Sequence, residues 1–252
     1  MTRDETIEVY ATAEALMTAA AGRFAAAAAP AIRDGGRFTV AIPGGSTPLP
    51  MFALLSEEQS IEWPRVHLFW SDERSVGPDD PSSNFGAANR ALIERISLPP
   101  QNVHRIRGEV PPAEAAAAYE REMRDHFRTP SGAPSLRPGE RFDLVLLGLG
   151  TDAHTASLFP HSAAVGERER WAVADPSRPI ARVTLTPPPI NAAAAVVFLV
   201  AGEAKASALR AVLEGPRDPM RVPAQAIEPV AGSLTWMVDA AAASSLGAGG
   251  EP

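Results

Sequence analysis

The sequence predicts an α/β protein: a mostly parallel, Rossmann-like sheet with helices on both faces. Three observations carry this. Short, continuous apolar runs such as Val66–Trp70, Leu144–Leu147 and Ala195–Ala201 suit strands covered on both faces. These runs alternate with helix-favouring segments, as right-handed parallel crossovers require. Several runs end in glycine turns, including Pro43-Gly44-Gly45 and Gly148-Leu149-Gly150, and open α/β sheets bind ligands beyond the carboxyl ends of their strands.

The elements follow in order. Ala11–Ala29 is alanine-rich and favours helix. Arg37–Ile42 reads as the first strand and Leu49–Leu55 as the helix after its glycine turn. Val66–Trp70 is a second strand, followed by a helix over Asn84–Ile96. Pro112–Phe127 reads as a helix with proline in its first turn. Strands are expected at Phe142–Gly148, Ala181–Thr186, Ala195–Ala201 and Leu234–Val238, with a helix over Glu203–Leu213. Thr129–Glu140, rich in Pro, Gly and Ser, reads as a surface loop. Residues 1–246 are expected to form one domain and 247–252 a flexible tail.

Composition narrows the function. A formal charge of −7 opposes general nucleic-acid binding, which needs a dominant basic face, yet permits a small anionic substrate. The absence of cysteine removes disulfides, thiolate metal sites and thiol nucleophiles. Asp4, Glu5, Glu8 and Glu14 stand where a leader would carry positive charge, and no stretch reads as long and apolar enough to span a bilayer. A cytoplasmic monomer or small homo-oligomer, without membrane or nucleic-acid partners, is expected. Lys205 is the only lysine among 23 Lys and Arg residues, so it stands out as a compact point charge that arginine cannot imitate.

The most informative stretch is Phe142–His154. It delivers Asp152 and His154 just beyond a buried strand and a glycine turn. A neutral imidazole can take a proton from water near neutral pH, and a nearby carboxylate can hold its ring. The bland alternative is an Asp that caps the next turn beside a His satisfied locally. Thr155–Pro160 reads as a short helical turn whose amides face the same cleft. In Gly44-Gly45-Ser46-Thr47, glycine amides and two hydroxyls suit a phosphate, although an ordinary Ser/Thr N-cap gives the same pattern. Asp72, Glu73 and Arg74 follow a strand directly, as a binding group or as a solvated loop. Asn84 is equally a cap or a ligand contact. Arg182 and Lys205, near other strand ends, would make a phosphate clamp with the glycine loop. His67 and His104 read as decorating strands and His126 a helix face, while His161 has no assigned role. No histidine pair has metal-ligand spacing, so neither a metal nor another cofactor is expected.

Taken in order, these segments resemble the 6-phosphogluconolactonase family over most of the chain, from Pro43 to about Trp236. The resemblance rests on Pro43–Pro48, Trp70–Arg74, Ser83–Gly86, Gly148–Pro160, Arg182–Thr186, Ile190–Ala193, Gly202–Ala206 and Pro223–Gln225. The family usually has glycine between the Asp and His, where this chain has Ala153; a left-handed backbone there would strain alanine. The related glucosamine-6-phosphate deaminases share the fold and a similar Gly-x-Gly-x-Asp-Gly-His turn. They carry a glutamate five residues after the histidine, where this chain has Phe159, and lack a counterpart of Arg74. The resemblance therefore implies hydrolysis of 6-phospho-D-glucono-1,5-lactone, a phosphorylated sugar lactone, in the oxidative pentose phosphate pathway. It implies His154 as general base, Asp152 as its orienting partner and Arg74 as oxyanion stabiliser. Gly44, Gly45, Ser46, Thr47, Asp72, Arg182 and Lys205 would bind substrate. Two alternatives on the same scaffold are a deaminase-like sugar-phosphate isomerase and a non-catalytic sugar-phosphate sensor.

Overall fold

The computed structural model describes residues 5–129 and 132–247; the tail expected over 247–252 lies, Gly247 apart, outside them. In chain order the elements are β1 (Glu5–Tyr10), α1 (Ala13–Gly35), β2 (Phe38–Ile42), α2 (Leu49–Glu57), β3 (Val66–Trp70) and β4 (Asp72–Arg74). They continue with α3 (Asn84–Ala91), β5 (Val103–His104), α4 (Pro112–His126), β6 (Leu144–Gly148), α5 (Ala163–Gly166), β7 (Ala172–Asp175) and β8 (Arg182–Leu185). The last are α6 (Pro187–Asn191), β9 (Ala195–Val200), α7 (Ala206–Leu213) and β10 (Ser233–Asp239).

Seven strands form one sheet in the order β1-β10-β9-β6-β2-β3-β5, and every pairing in it is parallel. The chain runs outward one way through β2, β3 and β5, and the other way through β6, β9 and β10. The direction reverses between β2 and β6, which makes their carboxyl ends the switch point of the sheet. β2 is buried along its whole length and β6 along all but its terminal glycine, the burial their uninterrupted apolar sequences anticipate. Arg182 does not join this sheet. β8 pairs antiparallel with β4 and β7 in a separate three-stranded sheet.

Several boundaries move for identifiable reasons. α1 passes Pro30 and closes only at Gly36, in a left-handed conformation (φ 76°), where the Gly36 N–H donates to the Ile32 carbonyl. Ala31 and Ile32 pack against the core, which offsets the hydrogen bond that Pro30 cannot donate. Among the described residues α1 is long and apolar enough, by length and composition alone, to cross a membrane, with a mean hydropathy of 1.3. This corrects the expectation that no segment is, because many alanines raise the mean while each buries little. Leu16, Met17, Phe24 and Ala28 are buried in the core, and Arg23 pairs with Glu8 of β1. β1 itself escaped notice in the sequence: it is an edge strand alternating polar and apolar residues. It is held by parallel pairing with β10 and by the Trp236 indole N–H donating to Glu5 (3.0 Å).

The three histidines read as separate decorations instead come together on the α4 side of the sheet. His67 on β3, His104 on β5 and His126 on α4 lie with their ring nitrogens within 4.8 Å of one another. Phe69 stacks on His104 at 4.1 Å. Burial, with positive Arg37 and the neighbouring rings, lowers His67 to about 4 and His126 to about 2, so both rings are neutral at pH 7.

β3 is tied down just before the site by Tyr119 of α4. Its buried hydroxyl accepts from the Trp70 N–H and donates to the Trp70 carbonyl, both at 2.8 Å. Tyr119→Phe leaves that N–H buried without an acceptor, so chemical denaturation is expected to show a loss of about 1–3 kcal/mol.

Candidate active site

The loops after β9, β6, β2 and β3, four neighbouring strands, meet at the switch point and line a cleft of about 340 Å³. Gly44, Gly45, Ser46 and Thr47 come from the β2 loop, Ser71 joins β3 to β4, Asp72 starts β4, and Gly150 and His154 come from the β6 loop. Lys205 comes from the β9 loop, and β4 and β8 add Arg74 and Arg182. A groove of about 410 Å³ between Val212, Arg217 and Trp236 is larger but offers no comparable acid–base pair.

The β6 loop is built around one hydrogen-bonded pair. Asp152 Oδ1 accepts from His154 Nδ1 at 2.5 Å and from the His154 backbone N–H at 3.2 Å. The turn is closed by the Gly150 N–H donating to the His154 carbonyl at 2.7 Å. A side chain at Gly150 would place its Cβ 2.0 Å from His154 Nδ1, so the close approach of ring and backbone demands glycine. Burial raises the Asp152 carboxyl, but hydrogen bonding to and the charge of His154 outweigh it and hold Asp152 below the ordinary range. An ionised Asp152 keeps the proton of neutral His154 on Nδ1 and leaves Nε2 with a free lone pair.

Ala153 adopts the left-handed backbone (φ 63°) that its position requires. The strain does not displace His154. Ala153 donates to the Gly150 carbonyl and accepts from the Ala224 N–H, both at 3.0 Å, and the turn holds. Ala156 and His161 are also left-handed, so three of the four such non-glycine residues among those described fall between 153 and 161. The short helix expected over Thr155–Pro160 is therefore absent. Left-handed Ala156 breaks helical continuity, and Thr155 bridges back to Leu158. The next helix starts at Ala163, capped by Ser162, and no helix terminus faces the cleft from this loop.

The Gly44–Thr47 segment is not a capped helix start: α2 has no side-chain cap, and its N-cap position is Pro48. Gly45 is left-handed (φ 83°), and a Cβ at Gly44 would fall 2.0 Å from the Asn84 side chain. Asn84 is not the cap of α3 either; Ser83 is, accepting from the Gly86 N–H at 3.0 Å. Asn84 Nδ2 donates to the Asp72 carbonyl (2.9 Å) and to Asp72 Oδ1 (3.2 Å), while its Oδ1 is buried without a partner. Ser71 Oγ and Arg74 Nε are likewise unpartnered. All three residues line the cleft, so each leaves a buried polar atom to be matched by a water or a ligand there.

The acidic pair after β3 divides its work. Asp72 lines the cleft, but its Oδ2 accepts from Ser157 Oγ at 2.6 Å and its Oδ1 from Asn84. It ties the β6 loop to β4. Glu73 faces away from the cleft and anchors α3, accepting from the backbone N–H groups of Arg74, Asn84 and Phe85 at 2.7–2.8 Å. Burial pushes its carboxyl up despite these bonds.

Arg74 and Arg182 are register partners across β4 and β8. Like charges directly opposite on neighbouring strands repel, and burial together with Arg74 lowers the Arg182 guanidinium from its ordinary value. Two clustered guanidiniums in a cleft wall suit an anion. Sequence reasoning noted Phe159 only as the residue standing where the deaminases have glutamate, and it missed Arg178. The Phe159 ring lies 4.7 Å from that of His154, and the Arg178 guanidinium sits 3.6 Å above Phe159. Nothing in the local pattern around Arg178 signals this contact. His161 faces a separate depression beside Ser162 and Asp175.

A parallel α/β sheet whose switch point gathers a histidine–carboxylate pair, glycine turns and opposed cations defines a doubly wound α/β protein with one cleft at that switch point. The chain belongs to the family of glucosamine-6-phosphate isomerases and 6-phosphogluconolactonases, whose model matches residues 11–236. It is 42% identical over 218 residues to a 6-phosphogluconolactonase of Nostoc sp., covering 86% of this chain and 88% of that one. It is 37% identical over 251 residues to that of Mycobacterium tuberculosis, covering 95% and 98%. Among solved structures, the Trypanosoma cruzi 6-phosphogluconolactonase superposes with a TM-score of 0.84 at 28% identity, over 98% of both chains. A monomeric glucosamine-6-phosphate deaminase shares the fold (TM-score 0.77, 21% identity, 95% and 99% coverage).

The left-handed alanine gives a direct test. Ala153→Gly relieves the backbone strain, partly offset by greater freedom of the unfolded chain. A gain of about 1 kcal/mol in unfolding free energy is expected.

Proposed function

We propose that this protein hydrolyses 6-phospho-D-glucono-1,5-lactone to 6-phosphogluconate, with His154 as general base. The observation that carries this reading is the Asp152–His154 pair, set in the same cleft as the opposed Arg74 and Arg182. Four curated relatives, at 37–42% identity, are named 6-phosphogluconolactonase.

In the proposed reaction Nε2 of His154 takes a proton from the water that attacks C1 of the lactone. Asp152 holds the ring in the required tautomer and stabilises the imidazolium. The guanidinium of Arg74, with Nε free of any protein partner, stabilises the negative charge developing on the carbonyl oxygen. The intermediate collapses by breaking the bond from C1 to the ring oxygen, and His154 returns its proton to that oxygen. Gly44, Gly45, Ser46, Thr47, Arg182 and Lys205 hold the phosphate and so fix C1 against His154. Asp72 acts by positioning Asn84 and Ser157 at the cleft wall. A deaminase reading is disfavoured because the fifth residue after the histidine is Phe159, which offers no carboxylate and packs against the ring of His154.

Acidification measured on freshly generated lactone, against the spontaneous rate, tests the reaction. His154→Ala should lower kcat by roughly 10²–10⁴-fold with the fold intact; near wild-type turnover would remove His154 from the base role. Lys205→Ala should depress kcat/KM for the phosphorylated lactone far more than for unphosphorylated gluconolactone. Equal losses on the two substrates would take Lys205 out of the phosphate site.

A further inference from the structure

We propose that His67, His104 and His126 form a binding site for one divalent ion of the zinc class, separate from the cleft. The site lies on the α4 side of the sheet. His67 is the second residue of β3, whereas the cleft is reached only beyond that strand's last residue, Trp70.

The geometry is close to that of a built metal site. His67 Nδ1 and His104 Nε2 are 3.0 Å apart. Two nitrogens bound at about 2.0–2.1 Å to one tetrahedral zinc lie roughly 3.3 Å apart. A ring nitrogen of His126 completes a set within 4.8 Å, and its Nε2 now bonds Thr39 Oγ1 at 3.0 Å. His104 Nδ1 lies 2.7 Å from Glu122 Oε1, the carboxylate–histidine arrangement that orients metal-ligating imidazoles.

The protons balance. Glu122 accepts the Nδ1 proton of His104, so neutral His104 turns the Nε2 lone pair towards His67. Without metal, the proton on His67 Nδ1 fills the space between the rings. An ion takes that place when His67 carries its proton on Nε2 instead, with no net proton released. Arg37, bonded to the His126 carbonyl at 3.0 Å, and Arg128 beside it are the opposing charges; Asp143 offsets Arg37, and Glu122 lies against His104. A surface depression of about 520 Å³ bordered by His104, Tyr119, Glu122, Asp125 and His126 gives an ion a way in.

The test uses the full chain freed of metal with a chelator, titrated with Zn²⁺ by calorimetry and with Co²⁺ by visible absorption. One saturable equivalent with tetrahedral cobalt bands is expected. It should persist in His154→Gln and weaken at least about 100-fold in His67→Gln and His126→Gln. Glu122→Gln, at a side chain left 44% exposed, should weaken it about 10–100-fold. Absence of a saturable equivalent in the wild type would overturn the proposal and leave a purely structural histidine cluster. So would an equivalent that survives all three substitutions at 67, 122 and 126, or one that disappears in His154→Gln, which would locate binding at the Asp152–His154 pair.

Discussion

Parallel register at the centre of the sheet is the constraint on which the rest depends. Val40 pairs with Leu144, Ile42 with Trp70 and Leu147 with Phe198. Four neighbouring strands therefore end at one edge, and their loops have nowhere to go but the same small space. Because β2, β6 and β9 are apolar and buried, a slip of register would expose an apolar row or bury a loop. The site geometry is thus inherited from core burial, and the loops supply only its chemistry.

Within that frame, close approach decides which residues are replaceable. Gly44 admits Asn84, and Gly150 admits the ring of His154. Asp72 joins Asn84 to Ser157, so the β3 and β6 loops are fastened to one another at the cleft wall. Tyr119 fastens the end of β3 from the opposite side. The left-handed residues between 153 and 161 fit the same picture, because a strained backbone persists only where its surroundings over-determine it.

Much of this was legible in the sequence because burial writes a simple pattern. The continuous apolar runs of β2, β3, β6 and β9 were found nearly at their true limits, and Asp152 and His154 stood out because they follow such a run through a glycine turn. The failures have equally physical origins. β1 alternates like a surface segment, and three charged residues in succession concealed β4. The helix expected after His154 needed knowledge that Ala156 is left-handed, which composition does not carry. The histidine cluster was invisible because residues 67, 104 and 126 meet only through tertiary folding, and spacing rules see neighbours in sequence alone.

The opposed guanidiniums of Arg74 and Arg182 have a consequence for selectivity. With nothing bound, two strands of the small sheet face one another with like charge. Under the proposed function, a neutral sugar ring would leave that repulsion in place, whereas an anion between the two guanidiniums would relieve it. Part of the preference for a charged ligand would then come from the empty protein, with no group needed to exclude a neutral one.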